Sequence, residues 1–296
     1  MMDPNGFRAI MQTPAGNGAV RCSLCPRRCL IPEGARGFCA VRRNIGGVLY
    51  SEAYGHPAAI QNDPIEKKPL YHYMPGSRTF SIGTFGCNLN CLFCQNDSLS
   101  RGSYDSPARL PFYAPGVLAD AAVRAGCKSV AFTYNEPGVW AEYVMDIASE
   151  ARARELGTVL VSNGYITPEA AAELYPCIDA ANIDMKGFSE AFYRNLCGGS
   201  LAPVLQACEY FRNVRGGHLE LTNLVIPGRN DGQEMIEAFL DWVKEKLGLD
   251  TVLHFSAYFP AYKYHESPPT PPETLYRIRD FARGRGFRFV YLGNIR

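Results

Sequence analysis

At 296 residues, with 30 lysines and arginines against 29 aspartates and glutamates, the chain has room for one or two domains and a net charge of only +1. That balance gives no electrostatic reason to expect nucleic acid as the main partner, and no run of about 18 apolar residues exists to span a membrane. Met1–Val20 lacks the apolar core of a secretory leader, so a cytoplasmic, thiol-reducing setting is expected, where eleven cysteines gathered in clusters point to metal and away from disulfides.

Residues 1–20, rich in Gly, Pro, Asn and Gln, read as a flexible lead-in. Residues 21–78 read as a separate cysteine-rich segment of loops and short strands. Its run Cys22-x2-Cys25-x3-Cys29-x9-Cys39 offers four thiolates, enough to close a structural zinc site or a fully ligated iron–sulfur cluster. Either metal would stabilise a segment too small for a core of its own, and the sequence leaves the choice open. Asp63-Pro-Ile-Glu66-Lys67-Lys68 carries four charges in six residues. It is expected to be a solvated loop, with a cover over a binding mouth as the alternative.

From Thr79 to the end, β-rich apolar runs alternate with amphipathic stretches. Strands are predicted at Thr79–Gly83, Ser129–Tyr134, Thr158–Ser162, Asp179–Met185, Leu219–Ile226, Val252–Tyr258 and Phe287–Leu292. Helices are predicted at Gly116–Ala125, Gly138–Leu156, Pro168–Tyr175, Gly232–Leu247 and Pro271–Arg283. Thr270-Pro-Pro-Glu273 has the form of a capping box opening the last helix. Such alternation implies an α/β fold of parallel strands with right-handed crossovers, and six or seven units suggest a closed or partial (β/α) barrel over residues 79–296.

Barrels of this kind build their sites at the C-terminal ends of the strands, and the chemically capable residues fall there. Cys87, Cys91 and Cys94 follow the first strand and Asn135-Glu136 the second. Ser162-Asn163 follow the third, Asp184 and Lys186 close the fourth, and Tyr258-Phe259 end the sixth. Each group alone is ordinary turn chemistry; their recurrence is the signal. His254 inside its strand is expected to be a satisfied core histidine. The aromatic run Tyr258–His265 suits a pocket wall or loop packing equally. Cys127, Cys177, Cys197 and Cys208 read as small core residues.

Cys87-Asn-Leu-Asn-Cys91-Leu-Phe-Cys94 sets three thiols within eight residues, after Gly83 and Gly86 that allow a tight wrap. Cuboidal iron–sulfur clusters are normally held by four thiolates, so three leave one metal position open to an exchangeable ligand. A zinc knuckle with a fourth ligand from elsewhere is the alternative.

C-x3-C-x2-C after a strand opening a (β/α) barrel resembles the radical S-adenosylmethionine (SAM) superfamily. The resemblance implies a partial (β/α)6-type barrel and a [4Fe-4S] cluster on Cys87, Cys91 and Cys94, with SAM chelating the fourth iron. It implies SAM contacts at Phe93 beside the adenine and at Asn135-Glu136, where the family has Gly-Gly-Glu-Pro and the carboxylate meets the SAM ammonium. Ser162, Asn163, Asp184, Lys186 and Ile226 are the further contacts it implies. Cys22-Ser-Leu-Cys25-Pro-Arg-Arg-Cys29, Gly37-Phe-Cys39, Asp63–Leu70, Gly83-Thr-Phe-Gly86, Thr133–Pro137 and His254-Phe-Ser256 resemble the radical SAM component of the AmmeMemoRadiSam system, a group similar to pyruvate formate-lyase activating enzyme. The glycyl-radical activases usually carry Pro-Tyr-His where this chain has Ala257-Tyr258-Phe259.

The activity so implied is reductive cleavage of SAM to methionine and a 5′-deoxyadenosyl radical that abstracts hydrogen from a substrate. The implied partners are a one-electron donor, ferredoxin or flavodoxin, and a substrate that is a small molecule, a lipid or a protein. Activation of a glycyl-radical enzyme is the alternative activity. A zinc-binding scaffold on a degenerate barrel is the alternative outside catalysis.

Overall fold

The computed structural model describes residues 6–101 and 110–295. Residues 1–5 of the expected lead-in, and Arg296 at the end of the expected barrel segment, lie outside them. Residues 6–20 do not trail loosely. They supply β1 (Phe7–Arg8), β2 (Gln12–Pro14) and the first residue of β3 (Val20–Cys22). With β4 (Leu30–Ile31), β5 (Arg42–Ile45) and β6 (Val48–Ser51) these make two small antiparallel sheets, β1-β6-β5 and β2-β3-β4.

The larger sheet has eight strands in the order β14-β13-β12-β11-β10-β9-β8-β7, the last being Ala59–Pro64. Seven of them are parallel: β8 (Arg78–Gly83), β9 (Ser129–Phe132), β10 (Gly157–Ser162), β11 (Ala180–Asp184), β12 (His218–Val225), β13 (Val252–Ala257) and β14 (Val290–Gly293). Spatial order follows chain order, so every crossover steps to the next strand. Parallel strands covered on both faces are apolar along their length, and β9 is buried at all four positions. The edge strands β14 and β7 are not paired with each other, which makes this an open barrel of six βα units plus a last strand.

Helices fill the crossovers: α1 (Asp97–Ser100), α2 (Pro115–Arg124), α3 (Ala141–Arg152), α4 (Pro168–Leu174), α5 (Glu190–Phe192), α6 (Ala202–Glu209), α7 (Gln233–Lys246) and α8 (Pro272–Gly284). Proline opens α2, α4 and α8 at the position where its missing N–H costs nothing. Thr167 caps α4 by accepting from the Ala170 N–H.

Beyond the lead-in and shifts in element ends such as β14 (predicted Phe287–Leu292) and α3 (predicted Gly138–Leu156), four sequence expectations change. β9 ends two residues early, because Tyr134 takes a positive φ of 74° that no strand continues. α6 runs eight residues into a π-helical turn and buries only Val204, Ala207 and Cys208, a stripe too narrow to announce itself. The capping box at α8 does not form. Its N-cap is Pro271 with no side-chain cap, and the Thr270 hydroxyl instead donates to Val225 O and accepts from Tyr258 N, tying the ends of β12 and β13 together.

The fourth concerns the charged run. Residues Ala59–Pro64 form β7, antiparallel to β8 at the sheet edge, so the main sheet begins inside the segment assigned to 21–78. Asp63 is no solvated loop residue. Lys68 is 3 % exposed, donates to Asp63 at 2.8 Å, and lies over the Tyr134 ring, whose hydroxyl also bonds Asp63. The N-terminal sheets share one continuous core with the barrel. The buried Arg42–Glu142 pair and the bond from Thr167 Oγ1 to Ser23 O join the two.

Candidate active site

The loop after β8 is shaped from several sides. Gly86 at φ +83° makes the turn. The Asn135 amide spans it, donating to Phe85 O and Gly86 O at 2.8 and 2.9 Å and accepting from Thr84 N at 3.0 Å. Asn163 Nδ2 donates to Asn88 Oδ1 and approaches Cys87 Sγ at 3.6 Å. Arg101 holds Cys87 O, and the backbone of Asn90 and Leu92 pairs with Cys197 and Leu196. Asn135 therefore uses its side chain to brace the cysteine loop, which the residue's place in the sequence did not reveal.

Cys87, Cys91 and Cys94 line one wall of a hollow of about 320 Å3 at the strand ends. Burial pushes the Cys87 and Cys94 thiols up, whereas a hydrogen bond from Cys197 draws Cys91 down. Thiols held high in the apo protein become ligands only when a metal displaces the proton.

Glu136 faces the same hollow and is 3 % exposed. Its Oε1 accepts from Gly138 N and Ser162 Oγ, and its Oε2 from Asn163 N, all at 2.8 Å. A carboxylate has about four acceptor positions, so one on Oε2 is left for a donor in the hollow. Burial nevertheless raises its pKa against these three bonds, which makes a cation the preferred neighbour. Across the hollow, burial alone would lower the Lys186 ammonium. Asp184, at 2.7 Å, and Cys91 outweigh that and hold it charged. Phe93 lines the wall and packs against Phe192.

Of the residues expected here, Phe93, Asn135, Glu136, Ser162, Asn163, Asp184 and Lys186 all border the hollow. Ile226 does not. It lies past the end of β12, fully buried, with its N–H bound to Asn230 Oδ1; Thr222 and Leu224 present β12 instead. Sequence reasoning missed Tyr134, Ser256 and Asn294 on the wall, whereas Lys67 and Lys68 lie there as the alternative reading of the charged run, a cover over a binding mouth, had it.

Three thiols, one unspent acceptor on a buried acid and one ammonium thus border a single hollow. Among the described residues no three His, Cys, Asp or Glu side chains converge as a site for one ion. A cuboidal cluster needs no such convergence, since each thiolate takes a different iron, so the donor set fits one with a corner left open.

His254 is satisfied as expected: its Nε2 meets Glu220 Oε2 at 2.6 Å. Glu220, wholly buried, also takes His218 and the N–H groups of Tyr71 and His72. These bonds outweigh burial and bring its pKa down to about 2. Cys22, Cys25, Cys29 and Cys39 line a second, separate cavity. Burial pushes the Cys25 thiol up to about 12 and the Cys39 thiol up to about 11.

Residues 81–243 match the profile of the Radical SAM superfamily. An uncharacterized protein of Methanocaldococcus jannaschii is 41% identical over 289 residues, covering 97% of this chain and 85% of that one. A radical SAM methyltransferase from Sphaerobacter thermophilus shares the fold with a TM-score of 0.58 at 15% identity, covering 75% of this chain and 67% of its own. A domain of the pyruvate-formate lyase-activating enzyme of Bacteroides vulgatus does so at 0.50 and 13%, covering 56% of this chain and 99% of its own.

Proposed function

The chain belongs to the radical SAM superfamily, an enzyme family that works with a [4Fe-4S] cluster and SAM, and from that premise we propose that Cys87, Cys91 and Cys94 hold three irons of the cluster. Bound there, cluster and SAM supply one-electron cleavage to methionine and a 5′-deoxyadenosyl radical, which takes hydrogen from a substrate. The observation that carries the assignment is that the three thiols and Glu136, with one acceptor position unspent, border one hollow.

The chain's own residues orient and shield. Glu136 takes the SAM ammonium, a charge-assisted bond in a site of low dielectric. Ser162 and Asn163 keep its carboxylate from turning, since each donates to it. Lys186, held charged by Asp184, would meet the SAM carboxylate. Phe93 flanks the adenine and helps exclude water. Lys67, Lys68, Ser256 and Asn294 border the remainder of the hollow, where the substrate binds.

The electron donor is ferredoxin or flavodoxin, and the subgroup is the AmmeMemoRadiSam radical SAM enzymes. The substrate class, whether small molecule, lipid, peptide or glycyl-radical enzyme, is read by deuterium transfer from labelled candidates into 5′-deoxyadenosine. Cys22, Cys25, Cys29 and Cys39 form a second metal site, of zinc or iron–sulfur. The test of the central reading is anaerobic reconstitution, reduction by dithionite and detection of 5′-deoxyadenosine. A correctly loaded protein that leaves SAM intact refutes it.

A further inference from the structure

The cavity of the N-terminal cysteines carries an unusual cation. Arg42 lines it beside the four thiols and is 1 % exposed. One of its nitrogens bonds Ile10 O and Glu142. Its Nε and Nη1 are buried and have no hydrogen-bond partner among the described residues. Buried N–H groups are almost always paired, and those of a cation are the costliest to leave bare. Glu142 Oε2 is likewise without a partner among the described residues, so the pair is incompletely satisfied, and an anionic body in the adjoining four-sulfur cavity would supply acceptors to Arg42.

The size of that body follows from the thiols. One zinc at about 2.3 Å from each sulfur draws tetrahedral thiolates to roughly 3.8 Å of one another. Among the described residues no three of these thiols meet as a site for one ion, although all four border one cavity. A cuboidal cluster puts each thiolate on its own corner and offers sulfide acceptors to a neighbouring guanidinium.

This cavity also abuts the first cysteine loop. A Cβ on Gly86 would lie 2.3 Å from Cys39 O, so the backbone before Cys87 touches the last N-terminal ligand. Arg101 donates to Cys87 O and to Phe38 O, next to Cys39, and lies over the Phe38 ring. Arg27, two residues after Cys25, donates to Asn88 O and stacks on the same ring from 3.4 Å. Five of the six arginines in residues 21–43 reach the surface, all but Arg42, although Arg28 pairs with Glu169 and Arg36 and Arg43 pair with Glu52.

We infer that Cys22, Cys25, Cys29 and Cys39 hold a second, fully thiolate-ligated [4Fe-4S] cluster, and that it relays electrons to the cluster on Cys87, Cys91 and Cys94. One electron leaves an acidic one-electron carrier of the ferredoxin or flavodoxin kind, which is oxidised. It reduces the N-terminal cluster and passes on across the Gly86–Cys39 contact, leaving that cluster oxidised again. The relay rests on the radical SAM reading of the second loop; the N-terminal cluster does not.

The experiment compares full-length wild type with the triple variant Cys87→Ala, Cys91→Ala, Cys94→Ala and with the double variant Cys25→Ser, Cys29→Ser, all reconstituted anaerobically with iron and sulfide. Wild type is expected to hold two clusters' worth of both, and each variant half. The triple variant's reduced EPR signal should ignore SAM, and the double variant's should shift with it. Wild type with both clusters reduced should show spin–spin broadening absent from either variant. Zinc in the triple variant, or iron for a single cluster in wild type, overturns the N-terminal cluster, and wild type decides this even where a variant fails to fold. Two clusters without broadening overturn the relay alone. A double-variant signal indifferent to SAM sinks the radical SAM reading and leaves the N-terminal cluster standing. Cys29→Ser in the triple background, changing the most exposed of the four ligands, should alter the remaining signal; an unchanged one removes Cys29 from the ligand set.

Discussion

The two cysteine loops use the same side chain for opposite ends. Residues 22–39 set four thiols around a cavity with a buried guanidinium and apolar walls, which closes the site to exchange. Residues 87–94 set three thiols beside Glu136 and Lys186 in a hollow open to ligands. The fourth partner separates them. On the proposed assignments it is another cysteine in the first loop, whereas in the second the charges of Glu136 and Lys186 would hold a ligand from outside. Ligand count, more than ligand type, decides whether such a metal stores an electron or does chemistry with it.

The sharpest way to break the comparison is at the open loop. Cys91→Ala should reduce 5′-deoxyadenosine formation to the background without SAM. A variant that still turns over in an anaerobic product assay would remove the loop from the chemistry. At the closed loop, Arg42→Met leaves Glu142 charged and buried. It should cost about 3–5 kcal/mol of stability and release iron from the N-terminal site first, seen by denaturant melts with iron counting. Retention of both metals and of stability would show that Arg42 plays no part in holding the site.

An intermediate effect separates metal loss from loss of the barrel itself. Glu220 lies among His218, His254 and two backbone N–H groups, remote in kind from either metal site. Its pKa, down at about 2 from 4.5, means that its stabilisation is complete above about pH 4.5 and is lost as pH falls toward 2. The span corresponds to about 3 kcal/mol. Glu220→Gln should flatten that part of the pH–stability profile and leave metal content at neutral pH unchanged; an unaltered acid limb would contradict the assignment. The smallest effect is at the ligand pocket. Glu136→Gln keeps the shape but removes the charge, and should weaken SAM binding by about 10- to 100-fold, the value of a charge-assisted bond. Equilibrium dialysis showing equal affinity would exclude Glu136 as the ammonium's partner.

Much of the scaffold was legible in order of residues. Apolar runs between amphipathic stretches read as β8–β14 and their helices because most positions of these parallel strands are buried and most buried positions are apolar. The strand-end rule and the family resemblance together put seven of the expected ligand-contact residues around one hollow. The resemblance alone named Ile226, which lies one residue beyond β12 with its side chain in the core.

Local sequence set the spacing of both cysteine runs, the prolines that open α2, α4 and α8, and the alternation that winds the barrel, because each depends on residues near one another in the chain. Tertiary structure alone decided the rest. It folded the charged run at Asp63 into an edge strand, where Tyr134, seventy residues on, helps complete the shell around Lys68 and Asp63. It turned Asn135 into a brace, and it took Thr270 from its helix to join two strands. It also brought Cys39 against Gly86. These are long-range pairings of polar groups whose burial is tolerable only when a distant partner arrives, and no local pattern encodes the arrival.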